Sequence, residues 1–336
     1  MKENYTFNRK YYESWFCKMF AERSGDMDTF YSLCLQGDIP QAMDHLKSIQ
    51  PRTGEITAIE QRFTERFYSK DNEEQIASPD SWIKSVILTY HAYFRTVLTR
   101  SEKVPVAAAE EHLKNALAPL VQMENTPDLD AIEQKLTLIF AEKGYYFLGG
   151  VTPPYRGPYI WRTMESMDYK VELPSGLQHV TVYMLSDFLL EGWISFATCE
   201  HKWVGGWADV EGLYCNFKRY GDLQSEEFQI SYLKHEAQHQ YDYSQFPDMK
   251  STELEYRAKL VELFYSKDHA VLNKFLLQAK NDPDFPHPYA SYLIIRNLSA
   301  LIFNKDYEPE TRLWLGIDYK DISASALRLF ESRLPL

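Results

Sequence analysis

The stretch Tyr232-Leu-Lys-His-Glu-Ala-Gln-His-Gln-Tyr-Asp242, followed by Glu253-Leu-Glu-Tyr-Arg-Ala-Lys259, decides how the chain is read. His235, Glu236 and His239 spell H-E-x-x-H. On a helix, side chains four apart lie one above the other on the same face. Two imidazoles so placed converge on one Zn2+ ion at Zn–N distances of about 2.0–2.1 Å. Glu236 points about 100° round the helix, within reach of a water for which it serves as general base. The flanks predict a helix. Ser225 is a capping residue, Glu226 and Glu227 sit in the first turn, and Ile230, Leu233 and Ala237 form an apolar stripe. The plainer alternative is two packed or solvated histidines.

A zinc site needs a third protein ligand. The metzincin arrangement has a Gly turn and a ligand six residues after the second His; here that place is Gln245 and no Gly intervenes. Asp242 shares the face of the two histidines, but the span from His235 is about 10.5 Å, too long for one ion to bridge. Asp242 is therefore expected either to accept an imidazole N–H from behind or to sit on the surface. The remaining source is the next helix, which starts after Pro247-Asp248 and runs from Thr252 through Leu254, Ala258, Val261 and Tyr265. Glu255 is the preferred ligand, because Ala258 leaves room one turn on. Glu253 and Glu262 are rivals, and Thr252-x-x-Glu255 also reads as a capping box.

The segment from Ser225 to Tyr265 resembles the two-helix metal core of gluzincin metallopeptidases, in particular a poorly characterised bacterial group. The resemblance implies a thermolysin-like fold core, a single zinc held by His235, His239 and Glu255, and peptide-bond hydrolysis with Glu236 as base. It covers about forty residues. The thermolysin spacing would put the acidic ligand near Ala258 or Lys259, and Lys259 stands where that pattern has an orienting Asp. Zincins of this type also take an oxyanion donor, a His or Tyr, from their C-terminal part. His287, Tyr289 and Tyr292, at the start of a late helix, are the candidates, with capping or packing as their alternative. A zincin-like protein that has lost catalysis and uses its cleft to bind a peptide or partner is the alternative function.

The expected fold is α+β and predominantly helical. Residues 1–143 read as a helical N-terminal domain, with helices at about 8–22, 27–36, 39–49, 54–69, 80–100, 105–122 and 128–143. Their breaks fall at Gly37-Asp38 before Pro40, at Pro51 to Gly54, at Ser78-Pro79-Asp80 and at Thr126-Pro127-Asp128. The run Trp82 to Phe94 is apolar nearly all round and predicts a buried central helix. Residues 144–336 read as the zincin-like catalytic domain: a sheet at about 159–217, metal helices at about 226–265 and C-terminal helices within 268–333. The loop Val151 to Tyr159 either lines a cleft or connects. Strands are expected at Trp161–Leu173, His179–Leu185, Trp193–Thr198 and Trp207–Phe217. A small, largely antiparallel sheet before the H-E-x-x-H helix is the order the resemblance predicts. By that analogy Ala208 to Cys215 is either the edge that takes an extended substrate or an ordinary sheet edge.

A net charge of −12 argues against a nucleic-acid partner, which would need a basic face. The 24 tyrosines, within an aromatic content of 15 %, predict a heavy core. Cys17, Cys34, Cys199 and Cys215 are scattered with no C-x-x-C pair, which speaks against a disulfide framework or a thiolate zinc site. Residues 1–20 carry no apolar signal core, and no apolar run reaches 18 residues. The expectation is a cytoplasmic protein without a membrane partner, acting on a peptide or protein substrate.

Overall fold

The computed structural model describes residues 25–69, 76–99, 104–123, 128–209, 211–283 and 285–332, so the expected helix at 8–22 and Cys17 lie outside the described residues. The architecture is α+β with helix predominant. The described residues fall into two compact units: 25–163 with 186–204, and 164–185 with 205–332.

Six helices dominate the first unit: α1 (Gly25–Leu35), α2 (Ile39–Ser48), α3 (Gly54–Tyr68), α4 (Ser81–Thr99), α5 (Val106–Leu117, continued by a 3-10 turn, Ala118–Val121) and α6 (Leu129–Glu142). Their starts are written locally. The side chains of Asp38, Thr53 and Asp128 accept the N–H groups of Gln41, Ile56 and Ala131, satisfying donors that have no partner inside the helix. Helix α4 buries Ile83, Val86, Ile87, Tyr90, Phe94, Val97 and Leu98. Lys84, Ser85, Leu88 and Ala92 stay exposed, so α4 is amphipathic rather than buried all round.

The Gly/Pro-punctuated loop folds into two short antiparallel strands, β2 (Val151–Thr152) and β3 (Tyr155–Arg156), after β1 (Tyr146–Leu148). Arg156 turns inward as a tie. Its Nη1 lies 2.6 Å from Glu133 Oε2, and Tyr90 donates to Glu133 Oε1 at 3.0 Å. A buried cation is tolerated when matched and hydrogen-bonded in this way. Thr152, Tyr155, Arg156 and Tyr159 of this segment are buried within the first unit.

The sheet contains β1, β4 (Tyr159–Leu173), β5 (Gly176–Glu191), β7 (Leu213–Asn216) and β6 (Gly206–Ala208), in that order. Pairs β1–β4 and β6–β7 are antiparallel, whereas β5–β7 is parallel, with Val182 opposite Leu213. The sheet is therefore mixed, not uniformly antiparallel. A parallel neighbour requires a crossover, and residues 192–212 provide it.

That crossover overturns two expectations. Residues Trp193–Thr198 are not a strand but belong to helix α7 (Gly192–Ala197) and its end, with all six helix residues buried. A short apolar run buried on every side carries no period that separates helix from strand. Gly192 makes the turn into α7 at φ +72, where a Cβ would meet the Tyr159 hydroxyl at 2.9 Å. The run 207–217 is likewise not one strand: β6 ends at Ala208, β7 begins at Leu213, and Asp209 accepts the N–H groups of Glu211 and Gly212. The outer strand is β6, and β7 lies inside the sheet, so Ala208 to Cys215 is not a continuous edge.

In the second unit the helices are α8 (Glu226–Phe228), a π-helical segment (Gln229–Lys234), α9 (His235–Gln245), α10 (Ser251–Tyr265), α11 (Ala270–Gln278), α12 (Pro286–Phe303), α13 (Thr311–Trp314) and α14 (Tyr319–Glu331). Helix α10 is central, packing on α9, α12 and α14. Leu260, Val261 and Leu263 join Ile294, Leu298, Trp314 and Ile322 in one core. No helix among the described residues is long and apolar enough to cross a membrane.

Candidate metal centre

Ser225 caps the helical run that carries the motif, its hydroxyl accepting the Phe228 N–H at 3.2 Å. The run then widens to π geometry over Gln229–Lys234 and returns to α geometry at His235. Single π turns inside helices concentrate at functional positions. Ile230, Leu233 and Ala237 are buried, and His235 and His239 are completely so.

The two imidazoles meet edge to face, with ring centroids 4.6 Å apart. His235 Nε2 and His239 Nε2 are separated by 3.0 Å. Glu255 arrives from α10, with Oε1 3.4 Å from His239 Nε2 and Oε2 3.7 Å from His235 Nε2. Glu262, two turns further along α10, accepts from His235 Nδ1 at 2.7 Å. That bond puts the His235 proton on Nδ1 and leaves an Nε2 lone pair facing His239 and Glu255. Electron pairs of three groups thus converge in an interior where each residue is at most 1 % exposed.

Such convergence calls for a proton or a metal ion between the groups. Tetrahedral donors about 2.0–2.1 Å from a common ion stand about 3.3–3.4 Å apart. The observed separations of 3.0, 3.4 and 3.7 Å bracket that spacing. Among the described residues, both Glu255 oxygens, His239 Nδ1, Glu236 Oε2 and Glu262 Oε2 are buried without a hydrogen-bond partner. Buried ionised groups are costly unless a counter-charge is supplied. His235, His239 and Glu255 therefore form a group that could bind a metal ion.

The electrostatics agree. Burial would raise Glu255, but the imidazoles of His287, His239 and His235 around it hold its carboxyl well below the usual range. Burial would likewise raise Glu262; Lys274 and the bond from His235 bring it down to about 2. Glu236 goes the other way. Burial lifts its carboxyl above the ordinary value, aided by Glu255 and Glu262 and opposed by the two histidines. A raised carboxyl suits a general base, whose proton must come and go near neutral pH.

His287, in the first turn of α12, brings Nε2 to 3.3 Å from Glu255 Oε2. Burial, together with the charges of Lys259 and Lys274, keeps its imidazole uncharged to well below the ordinary histidine range. Tyr289 and Tyr292 are not drawn to this cluster. They stack on one another at 6.1 Å, and Tyr292 stacks on Tyr307 at 5.2 Å. Glu253 is half-buried and outside the group. No capping box forms, because α10 starts at Ser251 after Lys250, leaving Thr252 inside the helix and Glu255 free to face α9.

Asp242 does not orient an imidazole. It is fully buried and accepts Gln238 Nε2 and Arg257 Nε, each at 2.9 Å. The acceptor behind the histidine is Glu262, a residue weighed in the sequence only as a ligand. Its signal is the seven-residue spacing from Glu255, with Lys259 between them, all three buried beside Leu254, Ala258, Leu260, Val261 and Leu263. Comparison with protein-family models, curated proteins and solved structures finds no match, so the gluzincin resemblance stands on these residues alone.

Proposed function

We propose that this protein is a zinc-dependent peptide hydrolase whose second unit is a gluzincin-like catalytic unit. The observation that carries the proposal is the convergence of His235 Nε2, His239 Nε2 and the Glu255 carboxylate, with Glu262 fixing the His235 tautomer. The next residue after the first ligand is the buried carboxyl of Glu236. His235, His239 and Glu255 would hold the ion, which when bound supplies Lewis-acid polarisation of the scissile carbonyl and a lowered water pKa. Glu236 takes the proton of the attacking water and returns it to the leaving amine. His287, uncharged beside Glu255, offers an N–H to the developing oxyanion. The substrate class is a peptide or protein.

The test is cleavage of a mixed peptide library, abolished by chelator and restored by Zn2+, with metal content measured in parallel. Glu236→Gln is expected to keep stoichiometric zinc and lose about 10²–10⁴-fold in turnover. His235→Ala is expected to lose both. Undiminished hydrolysis in Glu236→Gln would remove Glu236 from its role.

The near-zero exposure of the ligands favours a second reading, in which the ion ties α9 to α10 and the surrounding surface binds a peptide or partner. Structural zinc sites are closed to solvent, whereas catalytic ones keep an open position. Wild-type protein that carries zinc and cuts no member of the library would favour that reading.

A further inference from the structure

Helices α9 and α10 are joined by the short segment 246–250, between Gln245 and Ser251. Besides the approach of Glu255 to the two histidines, side-chain ties bridge them. One is His235–Glu262. The other is Asp242–Arg257, with Arg257 Nε 2.9 Å from Asp242 Oδ2, an interior carboxylate at 0 % exposure against a guanidinium side chain at 16 %. Asp242 lies three residues beyond His239, and Arg257 two residues beyond Glu255.

This second tie is braced at both ends. Gln238, the fully buried residue inside H-E-x-x-H, gives its amide N–H to Asp242 Oδ1 at 2.9 Å and accepts the Ser175 hydroxyl at 3.1 Å. Ser175 belongs to the turn between β4 and β5. At the other end the Arg257 guanidinium lies 4.3 Å over the ring of Phe330 on α14. Turn, α9, α10 and α14 are thus linked by one line of contacts, in which each oxygen of Asp242 has its own donor.

We propose, building on the metal reading above, that Asp242 and Arg257 are positioning residues: their pair, anchored through Gln238 to Ser175, sets the register of α10 against α9 and so the reach of Glu255 to the two histidines. The demand for such a device follows from dimensions. A helix advances about 1.5 Å per residue, whereas metal–ligand distances hold to about ±0.2 Å. A slide of a fraction of one residue moves Glu255 out of range while leaving the apolar contacts of α10 nearly intact. Neither Asp242 nor Arg257 is among the three ligating groups. Their effect therefore passes through the position of Glu255.

The experiment measures Zn2+ affinity, by competition with a chromophoric chelator, and the absorption spectrum of the Co2+-loaded full-length chain. The proteins are the wild type, Asp242→Asn, Arg257→Met and the double variant, with melting of the metal-free protein followed by circular dichroism. Each single variant is expected to bind Zn2+ about tenfold more weakly or worse, the lower end of what supporting residues around metal ligands contribute. The double variant should lose little beyond either single, because one contact is broken in all three. The Co2+ bands should shift, reporting altered ligand geometry.

Arg257→Lys and Ser175→Ala are milder variants that cover the case in which the others do not fold. The first keeps the charge without the Nε donor and the second removes only the far anchor; each should weaken Zn2+ binding two- to fivefold, on the order of one lost neutral hydrogen bond. Folded variants that melt lower yet bind Zn2+ with wild-type affinity and an unshifted Co2+ spectrum would overturn the positioning role while leaving the metal site standing. A wild-type chain that takes up no Zn2+ would overturn both.

Discussion

Replacing Glu262 tests the proposed centre at the contact that fixes the His235 tautomer. The His235 Nδ1–Glu262 Oε1 bond is 2.7 Å long, and both side chains are at 0 % exposure. A buried hydrogen bond to a charged group contributes about 1.5–3 kcal/mol. In Glu262→Gln an amide oxygen still accepts from Nδ1, so roughly half of that is retained and Zn2+ affinity should fall about fivefold. In Glu262→Leu the acceptor is gone. The imidazole is then free to move its proton to Nε2, which removes the lone pair facing Glu255. Loss of such a supporting acceptor costs about 10–100-fold in metal affinity, equivalent to about 1.4–2.7 kcal/mol. The metal-free protein should suffer less, because Glu262→Leu also removes a carboxylate whose Oε2 is buried without a partner. The pH window follows from the direction of the shift. With the folded carboxyl held at about 2 and the unfolded one near its ordinary value, the Glu262 contribution is complete above about pH 4.5 and fades as pH falls toward 2. Titration calorimetry at pH 7 reads the two affinities, and melting of the metal-free proteins between pH 2 and pH 7 reads the stability and its pH window. A Leu variant that binds Zn2+ as tightly as the wild type would show that His235 does not ligate through Nε2, and the geometry assigned to the centre would be wrong.

Two further outcomes test the scaffold around it. Asp209 is 7 % exposed, and burial lifts its carboxyl to about 6 despite the two N–H groups it accepts. A folded value above the unfolded one means that the charge destabilises the fold above about pH 6 and that this is relieved as pH falls toward 4. Asp209→Asn keeps the turn acceptor without the charge, so it should stabilise by on the order of 2–3 kcal/mol at pH 8 and by almost nothing at pH 4; urea titrations giving a pH-independent difference would contradict this. Gly206, in the strand that borders α9, has the Tyr214 carbonyl oxygen and the Tyr232 ring where a Cβ would stand. Gly206→Ala should therefore destabilise by about 1–3 kcal/mol, the range for overpacking, and a melting temperature equal to the wild type would refute the close approach.

What the sequence discloses divides along the reach of the interactions involved. The helices of the first unit are readable to within a few residues because Asp38, Thr53, Asp80 and Asp128 mark their starts through bonds that span two or three residues. The pairing of His235 with His239 is readable for the same reason, being fixed by helix geometry alone. The partner of that pair is a tertiary choice. Helix α10 is buried on most of its circumference, from Leu254 through Leu263 with only Arg257 partly exposed, so no apolar period shows which face meets α9. On spacing, Glu253, Glu255 and Glu262 are then equivalent, and Asp242 looks as ready as any of them to support an imidazole. The parallel β5–β7 pair and the helical α7 are hidden in the same way, since both depend on what lies across the sheet rather than along the chain. One local sign does distinguish α10. Glu255, Lys259 and Glu262 fall at i, i+4 and i+7, one stripe of charge along a helix whose neighbouring positions Leu254, Tyr256, Ala258, Leu260, Val261 and Leu263 are all buried. A surface helix would set its charges opposite its apolar face. A helix that buries both must match the charges to something inside: Glu262 and Glu255 meet the imidazoles of α9, and Lys259 reaches Gln278 and the ring of Phe275 on α11.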